Sequence, residues 1–569
     1  MKNLEIAAIF RNIAGILRIQ KANIFRIRAY ERAAQNLEGL SEDIEQYIKK
    51  DSLTSIPGIG EDLGDKIVEF TRTGKIKAFE DLKKTIPEGL LDLLAIPSVG
   101  PKTAKLLHEE LGITGIPDLE KAIQKNKLAG VAGIKQKTIA NMLKGISLVK
   151  QDKERMHLAK ALQMADEFIA VLKKLPEVKK ISAAGSLRRC KETVRDIDIL
   201  IVSPEPRSVM DTFVKLPPAG DITAHGDTKS SVRTKDGIQV DCRVVEERSF
   251  GAALLYFTGS RNFNIKLRQI AVKKELKLNE YGAFKNEKFI AGETEEELFK
   301  LLGMDYIEPE LREDNGEIEL AQKSALPKLL DLSRIKGDLH THSTWSDGQS
   351  SIREMADAAR KRGYSYIAVT DHSPSLKIAR GLSAAGLKKK KNEIETINRG
   401  FKDFRVLYGT EVDIDAEGRL DYPENILKEF DVVVAAVHSG FKQSKEQLTR
   451  RIVKACGSKY VHIIAHPTGR LRGTRDACAV DMEEVMKAAA GTNTHLEINS
   501  SPDRLDLNDL HCRRAKELGI KLALNTDAHA VEQLELIRMG AMVARRGWLE
   551  TKDIINTLPL EGLLKELHK

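Results

Sequence analysis

Asp196 and Asp198 stand two apart in the run Asp196-Ile197-Asp198-Ile199-Leu200-Ile201-Val202. Side chains alternate along a strand, so both carboxylates leave the same face. Carboxylates placed this way can bridge two divalent cations. A third, Asp241, lies in another apolar run, Ile238 to Val245, which could pair beside the first and complete a metal cage. Three acidic side chains and two Mg²⁺ ions suit in-line phosphoryl transfer, where one metal activates the attacking oxygen and the other steadies the leaving phosphate. Upstream, Gly185-Ser186 permits close backbone approach and offers a hydroxyl, and Arg189 offers charge to a phosphate. An Asp-x-Asp pair alone is more often a solvated strand end, and only its surroundings decide.

A second set of metal-capable residues begins at Gly337. His340 and His342 alternate on one strand face, and Asp347 joins from the following loop. His372, Glu411, His438, His466, Asp527 and His529 each end an apolar run such as Tyr366-Ile367-Ala368-Val369. Ten of the chain's 13 histidines fall after residue 335, which concentrates metal chemistry in the C-terminal part. Mixed imidazole and carboxylate ligands admit Zn²⁺, Mn²⁺ or Fe²⁺ more readily than Mg²⁺. Such a cluster makes water nucleophilic near neutral pH and clamps phosphate oxygens. Arg470 and Arg472, just after His466-Pro467, could add positive charge toward a phosphodiester.

These groups need elements to hold them. Amphipathic stretches separate the apolar runs of the C-terminal part, a βα alternation, and in a barrel built this way the strand ends converge on one mouth. Residues 1 to 50 show helical periodicity instead: Ile6, Ile9, Phe10, Ile13, Ile16 and Leu17 recur at spacings of three and four. Three related turns follow, Ile56-Pro57-Gly58-Ile59-Gly60, Ile96-Pro97-Ser98-Val99-Gly100-Pro101-Lys102, and a fainter Val131-Ala132-Gly133-Ile134-Lys135. They resemble helix-hairpin-helix motifs. A glycine turn opening a helix lets backbone N–H groups approach a phosphate, fixing position on DNA without reading sequence. Gly58, Gly60, Gly100 and Lys102 are the DNA-binding candidates; one such turn alone would be an ordinary packing corner.

At 569 residues, with 41% hydrophobic and 31% charged side chains, the chain should hold several soluble domains. The net charge of +9 fits a nucleic-acid partner but does not demand one. Residues 1–150, with 24 Lys+Arg against 19 Asp+Glu, are the most basic third. Five cysteines without a Cys-x-x-Cys pair argue for a reducing compartment and against a zinc ribbon. No signal-peptide pattern or long apolar stretch is seen, so the expectation is a cytoplasmic, nucleoid-associated protein without a membrane partner.

Gly185-Ser186, the three aspartates, Leu255-Tyr256-Phe257-Thr258-Gly259-Ser260, Asn264, Arg268 and Leu278-Asn279-Glu280-Tyr281-Gly282 together resemble the palm and nucleotide-binding subdomain of a family X DNA polymerase, the family of DNA polymerase beta. The resemblance is collinear over roughly residues 1–310. It implies that Ser186 and Arg189 grip a triphosphate and that Tyr256, Phe257 and Gly259 line its sugar, excluding a 2′-hydroxyl. It further implies that Asn264 meets the incoming base and Arg268 the template side. Core packing is the other reading of Tyr256 and Phe257. Lys66 matches the family's Schiff-base lysine, implying a 5′-deoxyribose phosphate lyase in which neighbouring cations would lower its pKa. Arg26 keeps a basic position of that pocket, whereas Phe25, Asp62 and Ala78 replace basic or His residues; the alternative is a DNA-facing lysine.

The C-terminal part resembles a PHP (polymerase and histidinol phosphatase) domain, a distorted barrel of seven parallel strands. His340, His342, Asp347, His372, Glu411, His438, His466, Asp527 and His529 match that family's trinuclear site one by one, while His462, His495 and His511 match no ligand position. The resemblances imply a multidomain chain. An all-α lyase-like domain would span 1–90 and a second helix-hairpin-helix subdomain 91–150. An α+β nucleotidyltransferase palm would follow at 151–245, a nucleotide-selection subdomain at 246–315, a linker at 316–336 and an α/β PHP barrel at 337–569.

The implied activity is gap-filling DNA synthesis from dNTPs by a monomer, with two Mg²⁺ in the palm. The PHP site would hold up to three Mn²⁺ or Zn²⁺ for 3′–5′ exonuclease action, with abasic-site incision as a related activity. Two rivals remain. One is a template-independent nucleotidyltransferase; the other is a DNA-binding scaffold whose PHP domain hydrolyses a small phosphate monoester.

Overall fold

The computed structural model describes residues 2–568 apart from 21, 39–43, 57, 97, 98, 132, 135 and 154. Pro57, Pro97, Ser98, Ala132 and Lys135 of the repeated turns therefore lie outside the described residues. The chain forms two compact units, one of Met1–Lys153 with Leu471–Asp476 and one of Glu154–Arg470 with Ala477–Lys569.

The N-terminal unit is helical. The apolar positions spaced three and four apart in helix Lys2–Ile19 put Ile6, Phe10, Ile13 and Leu17 on one buried stripe, which packs on Ile27 and Tyr30 of helix Ile24–Glu38. Phe10 and Tyr30 meet edge to face at 5.4 Å. A second core gathers Leu93, Val99, Leu107, Leu119 and Leu128. The three repeated turns close alike: the N–H groups of Ile59, Val99 and Ile134 donate to the carbonyls of Ile56, Ile96 and Val131. Gly58 and Gly133 take positive φ (79° and 87°), which a β-carbon would resist. Gly60 and Gly100 then cap helices Glu61–Thr73 and Pro101–Leu111, with nothing within 4 Å of where a β-carbon would stand.

The second unit contains three parts. Its first is a five-stranded mixed sheet in the order Lys180–Ala183, Asp196–Val202, Gln239–Val245, Lys229–Thr234, Ala219–His225. Helices Leu158–Leu172 and Pro206–Phe213 bury Phe168 and Phe213 in the same core as Ile197, Ile199 and Ile201 of the sheet. Next, helices Phe250–Thr258, Arg261–Lys273 and Glu295–Leu302 with a three-stranded antiparallel sheet enclose Phe263, Leu267 and Phe299.

The third part is a seven-stranded, all-parallel sheet from Gly337–Thr341 to Leu522–Asn525, taken in chain order. A parallel bridge between Thr341 and Ala528 brings its first and last strands together, so the sheet nearly closes into a barrel. Helices between the strands start where the sequence caps them: Ser351 with Glu354 and Ser444 with Gln447 form reciprocal capping boxes.

Residues 316–336, expected to be a linker, are instead packed. Helix Glu317–Ala321 buries Ile318 and Ala321, and the Leu330 N–H donates to the Leu549 carbonyl at 2.8 Å. Trp548, from the C-terminal part, completes the core around Phe263 and Phe299. The barrel and the nucleotidyltransferase-like part thus share apolar contacts rather than a free tether.

Candidate active sites

The first site is set by strand register. Strand Asp196–Val202 pairs in parallel with Gln239–Val245, which puts Asp198 directly beside Asp241, with Asp196 two residues along on the same face. Burial, with Asp196 and Asp241 as like charges, pushes the Asp198 carboxyl up to about 7. Three converging carboxylates, offset by Lys229, 3.7 Å from Asp241, and by Arg243, suit divalent cations. Gly185 follows the strand that pairs with Asp196–Val202; its φ is 65°, and a β-carbon there would lie 2.3 Å from Asp198 Oδ2. Only glycine lets the Gly185-Ser186 turn come this close.

Around it, Asn264 Nδ2 donates to the Tyr256 carbonyl at 2.7 Å and Arg268 Nε to the Asn264 carbonyl at 3.3 Å, both beside a shallow pocket that Leu278 and Asn279 also line. Tyr256 is exposed, while Phe257 lies under the Arg243 guanidinium, 4.6 Å from its ring centre. Arg189 donates to Glu313 at 3.1 Å and to the Thr258 carbonyl beside Gly259. Arg188, by contrast, turns away into Glu295 and Thr258.

The second site sits at the C-terminal ends of the seven parallel strands. His340 and His342 point their Nε2 atoms at each other, 3.2 Å apart. Among the described residues, three groups of ligand atoms lie close enough to hold ions: His342, Asp347, His372 and His529; His340, His342 and Asp527; His372, Glu411 and His438. His466 Nε2 reaches Glu411 at 3.1 Å and so joins the third group. The nine residues therefore converge although 189 positions separate His340 from His529.

Their surroundings fit metals. His342 Nδ1 and His466 Nδ1 are buried without a hydrogen-bond partner, an arrangement that cations relieve. Burial, with His529 and His372 nearby, pushes His342 down to about 4, and burial with Arg504 does the same to His466, leaving neutral imidazoles ready to ligate. Burial also opposes charge on His372, but Glu411 and Asp347 outweigh it and raise that imidazole to about 10. His466 and Asp527 carry positive φ (29° and 56°), backbone strain of about 1–3 kcal/mol each that the packed barrel sustains.

Several functional residues escape a reading of the sequence. Glu497, fully buried, accepts from His340 Nδ1 at 2.7 Å and from the His466 N–H at 2.8 Å, orienting two ligands. Asp413 does the same for His438 at 3.2 Å. Arg504 Nε lies 3.6 Å from Asp527, and its buried Nη1 has no partner. Arg470, expected to face a phosphodiester, is instead held by Glu192 and by the carbonyls of Arg504 and Leu505. Lys66 also departs from expectation: its Nζ lies 2.5 Å from Asp62 Oδ1 and 3.1 Å from the Asp62 carbonyl, facing an anion rather than cations.

Residues 253–313 match the DNA polymerase beta thumb family, 1–76 a helix-hairpin-helix domain, 90–147 a SAM-like helix-hairpin-helix tandem and 338–501 the PHP domain. The chain is 40% identical over 570 residues to the DNA polymerase/3′-5′ exonuclease PolX of Bacillus subtilis (strain 168), covering 99% of both proteins. The chain belongs to the bacterial family X DNA polymerases that carry a PHP domain. It is a DNA polymerase and 3′–5′ exonuclease, and it depends on divalent metal ions. Rat DNA polymerase lambda is 25% identical over 345 residues, 55% of each chain. A probable phosphatase of Thermoanaerobacter sp. (strain X514) is 34% identical over 232 residues, 39% of this chain and 89% of its own. Among the described residues of this family X polymerase, no helix is long and apolar enough to cross a membrane.

Proposed function

We propose that the enzyme fills short gaps in duplex DNA during repair with one site and trims 3′ ends with the other, each carried by the residues described above. The observation that carries the assignment is the adjacency of Asp198 and Asp241 in one sheet and of nine imidazoles and carboxylates at the mouth of the barrel. Asp196 and Asp198 would hold two Mg²⁺ ions, with Asp241 beside the attacking 3′-hydroxyl. Bound there, the ions would supply charge neutralisation and activation for nucleotidyl transfer. Ser186 and Arg189 would take the triphosphate, Tyr256, Phe257 and Gly259 the sugar, Asn264 the base and Arg268 the template strand. The open helix starts at Gly60 and Gly100, with Lys102 alongside, suit sequence-independent phosphate contacts.

In the barrel, His340, His342, Asp347, His372, Glu411, His438, His466, Asp527 and His529 would hold up to three Mn²⁺ or Zn²⁺ ions. Those ions would supply an activated water and a phosphate clamp. Arg504 adds a cation at the rim for the scissile phosphodiester. A cytoplasmic, nucleoid-bound monomer is the setting we assign.

The test uses a 5′-labelled primer on gapped duplex with Mn²⁺, with and without dNTPs. Asp196→Ala with Asp198→Ala should abolish extension and spare shortening, and His340→Ala with His342→Ala should do the reverse. Shortening that survives the His pair and disappears with the Asp pair would remove the exonuclease from the barrel. The likeness to a probable phosphatase favours one second reading, hydrolysis of a small monoester. Comparing DNA ends with such a monoester on the same variants decides between them.

A further inference from the structure

The helix Ile537–Arg546 belongs to the PHP part, yet its last residue reaches the polymerase part. Arg546 is 4% exposed at its side chain, and its Nη1 donates to the Arg189 carbonyl at 2.7 Å. The same nitrogen lies 3.2 Å from Glu313 Oε1, the oxygen that accepts from Arg189 Nε. Asp509, at 2.8 Å from Nη2, fixes the other edge of the guanidinium. Arg546 thus touches both the main chain of Arg189 and the carboxylate that occupies the Arg189 side chain.

We propose that Arg546 is a positioning residue for the polymerase reaction: it holds the Glu313 carboxylate so that Arg189 can release it and take the triphosphate. The proposal rests on the assignment of Arg189 to the triphosphate. Glu313 is largely buried and faces three cations, Arg189, Arg546 and Lys191, the last at 3.5 Å. Burial works against its charge, and the three cations together hold its carboxyl below the ordinary range. When Arg189 turns to phosphate oxygens, a buried carboxylate left without partners would oppose the exchange. Arg546 and Lys191 remain to neutralise it. Without Arg546, Glu313 depends more on Arg189 and competes harder with the nucleotide. The Arg189 backbone also loses its anchor beside the Thr258–Gly259 turn, where a β-carbon on Gly259 would lie 3.1 Å from Arg189 Nη1.

The experiment is single-nucleotide gap filling by the full-length enzyme, with KM for dNTP and kcat measured for wild type, Arg546→Ala, Glu313→Gln, the double variant and Arg189→Ala. Arg546→Ala should raise KM for dNTP about tenfold, the scale of a lost hydrogen bond to a charged group, with kcat within about twofold. Its exonuclease rate on single-stranded DNA should match wild type, which also reports intact folding. Glu313→Gln, with the competing charge removed, should lower KM, and adding it to Arg546→Ala should bring KM most of the way back, the lost Arg189 backbone anchor keeping it somewhat above the Glu313→Gln value. A KM unchanged in Arg546→Ala, or a double variant as impaired as Arg546→Ala alone, would overturn the proposal. If Arg546→Ala does not fold, a KM in Glu313→Gln equal to wild type overturns it as well. An unchanged KM in Arg189→Ala would instead overturn the triphosphate assignment itself.

Discussion

Arg312 and Glu295 form a buried ion pair beside the Thr258–Gly259 turn, Nη1 to Oε1 at 2.5 Å, with side chains 0% and 4% exposed. Arg188 joins at 2.7 Å and Tyr306 donates at 3.1 Å, so every lone pair of the carboxylate is engaged. Burial alone would raise the Glu295 carboxyl; Arg312 and Arg188 outweigh it and hold it at about 2. A depressed carboxyl contributes stability that is present above its unfolded value near 4.5 and is lost as pH falls toward 2. Replacing Glu295 by Gln leaves the buried Arg312 and the part-buried Arg188 uncompensated, a cost of about 3–5 kcal/mol. The wild type should therefore resist urea better than Glu295→Gln at pH 7, and the gap should shrink steadily between pH 4.5 and 2. A gap that persists unchanged at low pH would show that Glu295 acts through packing rather than charge.

Gly185 gives a prediction confined to one site. A methyl group there would have to displace Asp198 Oδ2 and adopt a φ of 65°. Gly185→Ala should cut primer extension by about a hundredfold or more, the scale at which a misplacement of about 1 Å acts. Exonuclease activity should be unaffected, since Gly185 opens the helix Gly185–Arg188 beside the palm sheet. Extension within a few fold of wild type would mean that the aspartates tolerate a wider cradle.

Sequence alone reveals the chemistry at Asp196, Asp198 and the barrel histidines because period-two alternation and strand-end placement are local properties. Glu497 stays hidden: in the run His495-Leu496-Glu497-Ile498-Asn499 it looks like any polar residue on a strand, and only barrel closure shows it between His340 and His466. Arg470 misleads for the opposite reason. It follows a metal ligand in sequence, but the chain turns there and directs its guanidinium to Glu192 on the palm. Residues 316–336 open with a polar stretch that hides their burial, because Ile318 and Ala321 make only a single helical turn and Leu329 and Ile335 stand apart from any periodic run. Contacts between distant segments, such as Arg546 with Arg189, have no sequence signature at all.

Glu497 also carries a metal-specific prediction. Its carboxylate fixes the His340 tautomer by accepting from Nδ1, leaving Nε2 for a metal. Glu497→Gln keeps the volume but can no longer match the hydrogen bonds from His340, the His466 N–H and Asn525. Mn²⁺ affinity of the barrel site, measured by calorimetry on metal-stripped enzyme, should fall about 10–100-fold. Exonuclease activity should return at high Mn²⁺, and polymerase activity at saturating Mg²⁺ should not change. Equal Mn²⁺ affinity in variant and wild type would reduce Glu497 to a core residue.

Lys66 is the residue on which family resemblance and geometry disagree. Schiff-base formation needs a free amine lone pair, and Lys66 Nζ is engaged by both Asp62 Oδ1 and the Asp62 carbonyl one helical turn back. Asp62 stands where the family carries a basic or His side chain, so the pairing follows from the substitution. Borohydride trapping on a 5′-deoxyribose phosphate end should give little covalent adduct with wild type. Asp62→Asn should raise the yield several-fold, by weakening the ion pair while keeping the helix, and Lys66→Ala should abolish it. Efficient trapping by wild type that Lys66→Ala abolishes would show that DNA binding breaks the Asp62 contact. Trapping that survives Lys66→Ala would place the lyase nucleophile elsewhere in the helical unit.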